Sequence, residues 1–309
     1  MRIVYMGTPA FAIPPLRMLC ESGRAPVLTV TRPDRRRDRG KKLQSPPVKE
    51  LSAAYGIPVS QPEDLRRGGE FWDLLGSAAP DLIVVAAYGK ILPKEILNLP
   101  NLGCVNIHAS LLPAYRGAAP IQRAVINGER ETGVTLMRMA EAMDAGDIIA
   151  AERTEIGDKT SADLFDELAN MGAALLDRML PSIEKGCAPR LPQDESKATY
   201  APMIRKEEAH VDFSKSPREV CNLIRGMNPH PTAFVLCGDA ALKLWEAAPL
   251  DLLSERPAGT VLSASDEGIT VAAGGGAVRI TVLQAPGKRP MSAADYLRGN
   301  KVRPGIVLT

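Results

Sequence analysis

The stretch DLIVVAAYGKILP, residues 81–93, decides the fold. Its first seven residues are apolar enough to be buried on both faces, which is the mark of a strand at the centre of a sheet covered by helices. Four further runs read as strands: RIVYM (2–6), VLTVT (27–31), CVNIHA (104–109) and GVTLMRM (133–139). Between them, 10–21, 46–55, 62–76 and 119–127 read as helices, the second started by Ser45, Pro46 and Pro47. Strand alternating with helix implies βαβ units and a mostly parallel α/β sheet. Ligands of such sheets bind beyond the carboxyl ends of the strands, so the segments just after residues 6, 87, 109 and 139 are where function is sought.

The first strand runs into GTPAF, which lacks the G-x-G-x-x-G fingerprint, and RRRDRGKKL lacks the first glycine of a P-loop, so neither NAD nor ATP is indicated. The five cysteines lie far apart with no C-x-x-C pair, and the three histidines form no H-E-x-x-H. Reduced thiols and no required metal are expected. Apolar residues make up 45% and charged residues 24%, the balance of a soluble globular chain. No apolar run approaches the roughly 20 residues of a membrane span, and the amino terminus has no secretory h-region. A cytoplasmic protein without a membrane partner is expected.

At 309 residues the chain has room for two domains. A long helix over 161–185 precedes Gly186, and 188–209 is rich in proline and charge without periodicity, as linkers are. After a helix at 216–226, short strands recur from residue 233 onward: AFVLC, ALKLWEA, GTVLSA, GITVAA and AVRITVLQA. That spacing suggests a small β-barrel. Net charge is only +2, but residues 32–42 carry seven basic and two acidic side chains, and residues 279–309 six basic and one acidic. Positive charge gathered in two places on an otherwise acidic chain points to a polyanionic partner.

Within CVNIHASLLPAYRGAAPIQ (104–122), Asn106 and His108 are two apart in a strand and emerge on one side near its end. A buried histidine satisfied by a carbonyl is the ordinary alternative. An amide, however, offers N–H donors to a developing oxyanion, while an imidazole bonds the same centre and moves a proton, which together suit carbonyl transfer. A carboxylate to orient the imidazole is available as Asp144 or Asp147 in MAEAMDAGDII (139–149), and turn chemistry is an equal reading of that Asp-Ala-Gly.

Asn106-x-His108, followed by SLLP (110–113), RGAAPIQ (116–122) and DAGDII (144–149), resembles the formyltransferases that use 10-formyltetrahydrofolate. GTPAFA (7–12), RGKK (39–42) and NPHP (228–231) extend the similarity over the whole chain, toward the branch of that family whose acceptor is methionyl-initiator tRNA. The resemblance implies a Rossmann-like formyltransferase fold with an OB-like carboxyl-terminal β-barrel. It divides the chain into a catalytic domain at 1–189, a linker at 190–206 and a tRNA-binding barrel at 207–309. By position it assigns Asn106, His108 and Asp144 to catalysis, and Ser110, Leu111, Leu112 and Pro113 to folate. Asp147 becomes structural.

Backbone and apolar walls for the pterin are expected from 86–93 and 138–143, and core packing from Phe11, with the methionyl side chain as its alternative neighbour. Arg36, Arg37, Arg39, Lys41 and Lys42 of the basic loop, with Lys288 and Arg289 of the barrel, are expected to bind tRNA. Arg39 is expected to read the end of the stem. The chain departs from the family's Pro-Ala-Gly turn at Arg36, Arg37 and Asp38. A monomer is expected. The rival acceptor is a small amine, glycinamide ribonucleotide or an amino-sugar nucleotide, which would use the same trio but has no need of a barrel or a basic loop. A non-enzymatic RNA-binding protein and a formate-releasing folate hydrolase are the more distant rivals.

Overall fold

The computed structural model describes residues 1–37, 42–238 and 240–309. In chain order its elements are β1 (Ile3–Gly7), α1 (Ile13–Glu21), β2 (Leu28–Val30), β3 (Arg35–Arg37), β4 (Lys42–Gln44), α2 (Pro47–Ala54), β5 (Val59–Ser60), α3 (Glu70–Ala78), β6 (Leu82–Ala86), α4 (Lys94–Leu97), β7 (Cys104–His108) and β8 (Arg116–Gly117). Next come α5 (Pro120–Ile126), β9 (Glu131–Arg138), β10 (Ile148–Glu155), α6 (Ser161–Glu184) and β11 (Tyr200–Ala201). The remainder is α7 (Pro217–Gly226), β12 (Ala233–Cys237), β13 (Ala240–Leu250), β14 (Val261–Ser265), β15 (Gly268–Ala273), β16 (Gly276–Gln284), β17 (Met291–Ser292) and α8 (Ala293–Gly299). Two compact units result. One joins Met1–Pro120, Thr132–Thr154 and Phe165–Pro202, and the other joins Ile121–Glu131, Glu155–Leu164 and Met203–Thr309.

The first unit is built on a seven-stranded sheet of order β10-β9-β7-β6-β1-β2-β5. All five residues of β6 are buried, and β6 is its middle strand. β1 pairs in parallel with β2 and β6, and β7 in parallel with β6, whereas β9 runs antiparallel to β7. From β1 the chain winds outward to β2 and β5, then returns on the other side of β1, so the strand order reverses between β1 and β6. The carboxyl edge beside that reversal is where open α/β sheets bind ligands, and β7 ends one strand away from it.

The structure adds β5, β8, β10, β11, β17, α4 and α8 to the expected elements, and two expected segments differ from expectation. The helix expected over 62–76 begins only at Glu70, because Gly68 and Gly69 adopt φ of +104° and +77° and interrupt the helical path. The basic segment, expected as a loop, carries a short hairpin in which β3 pairs antiparallel with β4, Arg35 opposite Gln44. Phe11 is buried and meets Phe165 edge to face at 5.5 Å, which is core packing.

The second unit holds an antiparallel sheet of order β12-β13-β16-β15-β14, with β17 on β16. Val235, Leu242, Leu244, Val271, Val278 and Ile280 face a core that α7 closes with Val220 and Ile224. Ser216 caps α7 by a reciprocal box with Glu219, and Pro217 follows at the first helical position. Residues 305–309 hydrogen-bond both outer strands. Thr309 exchanges bonds with Leu236 of β12, while the Val261 N–H of β14 donates to the Ile306 carbonyl at 2.7 Å.

Candidate active site

Strand β7 determines the site's first two side chains. Its apolar residues Val105 and Ile107 are buried, and the alternate positions Asn106 and His108 share the opposite side. His108, 6% exposed, has its Nε2 2.9 Å from the Tyr115 carbonyl oxygen and its Nδ1 3.7 Å from Asp144 Oδ2. The first contact is a hydrogen bond. The second is an ion-pair distance, too long for a hydrogen bond. Tyr115 adopts φ +62°, a left-handed turn residue. The His108 ring thus has a carbonyl satisfying one nitrogen and a carboxylate facing the other. Asn106 is half-buried, and its carboxamide engages no described group.

Asp144, rather than Asp147, lies against the imidazole. The Gly117 N–H donates to Asp144 Oδ2 at 2.8 Å, and Asp144 itself has φ +50°. Gly117 has φ +120°, and a Cβ there would lie 2.8 Å from the Ala201 carbonyl oxygen, so glycine is required for the strand pairing of β8 with β11. Asp147 instead takes part in the backbone, its carbonyl accepting the Arg138 N–H at 2.8 Å. Spacing alone could not separate these two aspartates.

The segment after His108 is locked by its own hydrogen bonds. Ser110 Oγ donates to the Ala114 carbonyl at 2.7 Å, Thr135 Oγ1 donates to the Ser110 carbonyl at 2.7 Å, and the Leu112 N–H donates to Thr135 Oγ1 at 3.1 Å. Leu112–Pro113 is a cis peptide bond. Ser110 and Leu112 are buried, while Leu111 and Pro113 are half-buried. Alongside β7, Met139 packs against the core containing Tyr88 and Leu92, and Ala87 and Met143 are exposed. Burial pushes the Tyr88 hydroxyl up to about 12. Lys90 Nζ bonds the Pro62 and Glu63 carbonyls, and desolvation, followed by the nearby Arg32, lowers its pKa.

Gln193 and Glu195 carry no motif signal, and they act with Arg116, the first residue of RGAAPIQ. Gln193 Nε2 donates to the carbonyls of Asp144 and Gly146 at 2.7 and 2.8 Å, and Arg116 donates to Gln193 Oε1 and to both Glu195 carboxylate oxygens. Gln193 and Glu195 lie in the stretch read as linker, whose first part, through Pro202, belongs to the first unit. Thr135 had a usable signal, a polar residue between the apolar Val134 and Leu136, and the structure pairs it opposite His108.

Of the basic residues singled out, Arg39 and Lys41 lie outside the described residues, and Arg36, Arg37 and Lys42 are placed by backbone only, in the β3–β4 hairpin. Lys288 and Arg289 are exposed in the turn after β16 of the second unit. Among the described residues no group of three His, Cys, Asp or Glu side chains is placed to hold a metal ion, and no helix is long and apolar enough to cross a membrane.

The family model described as formyl transferase matches residues 1–180, and that of the formyl transferase carboxyl-terminal domain matches 203–301. The chain belongs to the formyl transferase family. It is 48% identical to a methionyl-tRNA formyltransferase of Moorella thermoacetica, covering 100% of this chain and 99% of the relative. A methionyl-tRNA formyltransferase of Clostridioides difficile is 44% identical, each chain covered in full. Among solved structures, HypX from Aquifex aeolicus in complex with tetrahydrofolic acid superposes with a TM-score of 0.63 at 23% identity, over 99% of this chain and 50% of that one. A methionyl-tRNA formyltransferase from Clostridium thermocellum superposes with a TM-score of 0.54 at 18% identity, over 80% and 93% of the two chains. At those identities the structural likeness concerns the fold.

Proposed function

We propose that this chain transfers the formyl group of 10-formyltetrahydrofolate to the α-amine of methionyl-initiator tRNA, for translation initiation in the cytoplasm, as a monomer. The observation that carries the chemistry is the meeting of His108 and Asp144 beside Asn106 at the carboxyl end of β7. The observation that favours this acceptor is full-length similarity, at 44% identity and above, to relatives bearing that activity's name. The functional division is the catalytic 1–189, the linking 190–206 and the tRNA-binding 207–309. The OB-like reading of the last part is supported by its six-stranded antiparallel sheet and by residues 305–309, which bond both outer strands of the β12-β13-β16-β15-β14 path.

The folate supplies an activated formyl carbon. Its flat ring fits between the 86–93 and 138–143 segments, with Ser110, Leu111, Leu112 and Pro113 as the adjoining wall. The rigid hydrogen bonding of that wall presents a preformed surface, which lowers the cost of binding. An α-amine with an ordinary pKa near ~7.7 is partly neutral in the cell and able to attack. As charge develops on the formyl oxygen, the Asn106 amide donates to it. His108 Nδ1, facing the Asp144 carboxylate, takes the surplus proton of the attacking amine and delivers a proton to the folate nitrogen as the bond from that nitrogen to the formyl carbon breaks, while the Tyr115 carbonyl keeps the ring oriented. Asp144 holds the protonated ring and is itself held by the Gly117 N–H.

The polyanionic partner is served by the basic segments. Arg36, Arg37, Arg39, Lys41 and Lys42 approach the acceptor end, with Arg39 reading the stem terminus, while Lys288 and Arg289 neutralise phosphates without sequence preference. Accordingly R39A impairs discrimination between initiator and elongator tRNA, and K288A or R289A weakens binding uniformly and lowers the salt slope by about 1. The deciding experiment mixes the protein with labelled 10-formyltetrahydrofolate and either methionyl-initiator tRNA or glycinamide ribonucleotide. Transfer to the small amine, or formate release with no acceptor present, overturns the reading.

A further inference from the structure

We propose that Gln193 is a positioning residue for Asp144, oriented in turn by Arg116. The inference rests on the catalytic reading of Asp144 above. Asp144 has φ +50°, a left-handed conformation that a non-glycine residue holds only when its surroundings impose it. Two residues on, a Cβ at Gly146 would collide with the Arg138 carbonyl oxygen, so this turn passes tight against β9.

The Gln193 carboxamide grips this turn with both of its N–H groups, one on the Asp144 carbonyl at 2.7 Å and one on the Gly146 carbonyl at 2.8 Å. The amide can face the turn in only one way. Arg116 Nε and Nη2 donate to Gln193 Oε1 at 3.1 and 2.8 Å, and an arginine has no acceptor to offer a flipped amide. Arg116, 2% exposed, is itself set by a two-pronged pairing with Glu195 at 2.9 and 2.7 Å. From the other side, the Gly117 N–H, the next residue after Arg116, holds Asp144 Oδ2. Backbone and carboxylate of Asp144 are thereby fixed from adjacent residues of a single short strand, and the angle of Asp144 toward His108 follows.

The test uses Gln193→Glu and Gln193→Ala in the full chain, with Asp144→Ala and the double variant Asp144→Ala/Gln193→Glu. Glutamate keeps the acceptor for Arg116 but removes both donors to the turn, so it separates the two halves of the contact. Formyl transfer to methionyl-tRNA is measured as kcat and as KM for each substrate, and hydrogen exchange is followed over 141–147. A misplacement of about 1 Å caused by a substitution away from the chemistry costs about 100-fold. Q193E and Q193A are expected to lose roughly 10- to 100-fold in kcat on that basis, with KM within about twofold, and exchange at the turn quickens. In the D144A background the Gln193 effect shrinks to under about twofold, because groups that act through one another are not additive. Wild-type turnover in Q193E, or an undiminished Gln193 effect in the D144A background, overturns the proposal. If D144A itself retains wild-type turnover, the catalytic assignment fails and takes this proposal with it; if D144A is impaired and Q193E is not, only the positioning role has failed.

Discussion

Replacing Thr135 by valine tests how much of the loop after β7 depends on one buried hydroxyl. Thr135 is fully buried; its Oγ1 donates to the Ser110 carbonyl at 2.7 Å and accepts the Leu112 N–H at 3.1 Å. Valine has the same shape but leaves both backbone groups unpaired. Each orphaned buried group costs about 1–3 kcal/mol, and the added methyl returns about 0.8 kcal/mol. The net loss is therefore about 1–5 kcal/mol, centred near ~3 kcal/mol. For a unit of this size that corresponds to a fall in Tm of roughly 6–12 °C. The protocol is a thermal melt of wild type, T135V and T135S, paired with a titration of each by 10-formyltetrahydrofolate. T135S keeps the hydroxyl and is expected to stay much closer to wild type in both, whereas T135V loses donor affinity along with stability. A T135V melt within about 1 °C of wild type would refute the reasoning, since it would mean that water or a relaxed loop satisfies both groups at little cost.

N106A is expected to slow single-turnover formylation by about 10²–10³ and H108A by about 10²–10⁴, both with folding intact; near-normal transfer in either removes that residue from the mechanism. Hydrogen bonding from Arg116 holds the Glu195 carboxyl below its usual range. A depressed folded value gives stability that is complete above the ordinary glutamate value of 4.5 and lost as pH falls through the folded one. The Tm gap between wild type and E195Q should therefore narrow between about pH 6 and pH 3, and a constant gap argues against the pair. Thiol alkylation of the native protein at pH 8 should strike exposed Cys187 first and spare Cys104 and Cys221, which burial pushes up to about 12 and about 11. Early labelling of Cys104 would mean that the core around β7 opens.

Much of the sheet was legible because its signals are local. The unbroken run Leu82–Ala86 places β6 at the middle, and the two-residue spacing of Asn106 and His108 gives their common side. What escaped is set by tertiary contact. β5 has two residues, too few to carry a period, and β10, an edge strand, alternates exposed Ala151, Arg153 and Glu155 with half-buried Ala150, Glu152 and Thr154, so most of it shows no apolar alternation. Asp144 and Asp147 sit in the same turn and spacing does not separate them; the resemblance assigns Asp144, and the fold sets its Oδ2 3.7 Å from His108 Nδ1. Gln193 lies in an aperiodic, proline-flanked stretch because its value comes from both ends of one amide, a property with no repeat in sequence. The segments Ile121–Glu131 and Glu155–Leu164 joined the second unit without any composition shift to announce it.

The bonding of residues 305–309 to both β12 and β14 has a bearing on how this chain is made. A ribosome delivers β12 through β17 before it delivers that segment, so each nascent molecule passes through a stage in which the backbone groups of Leu236 and Val261 that it bonds face solvent. At that stage neighbouring chains on a polysome present one another with unpaired strand groups, a template for misassembly that disappears once residues 305–309 dock.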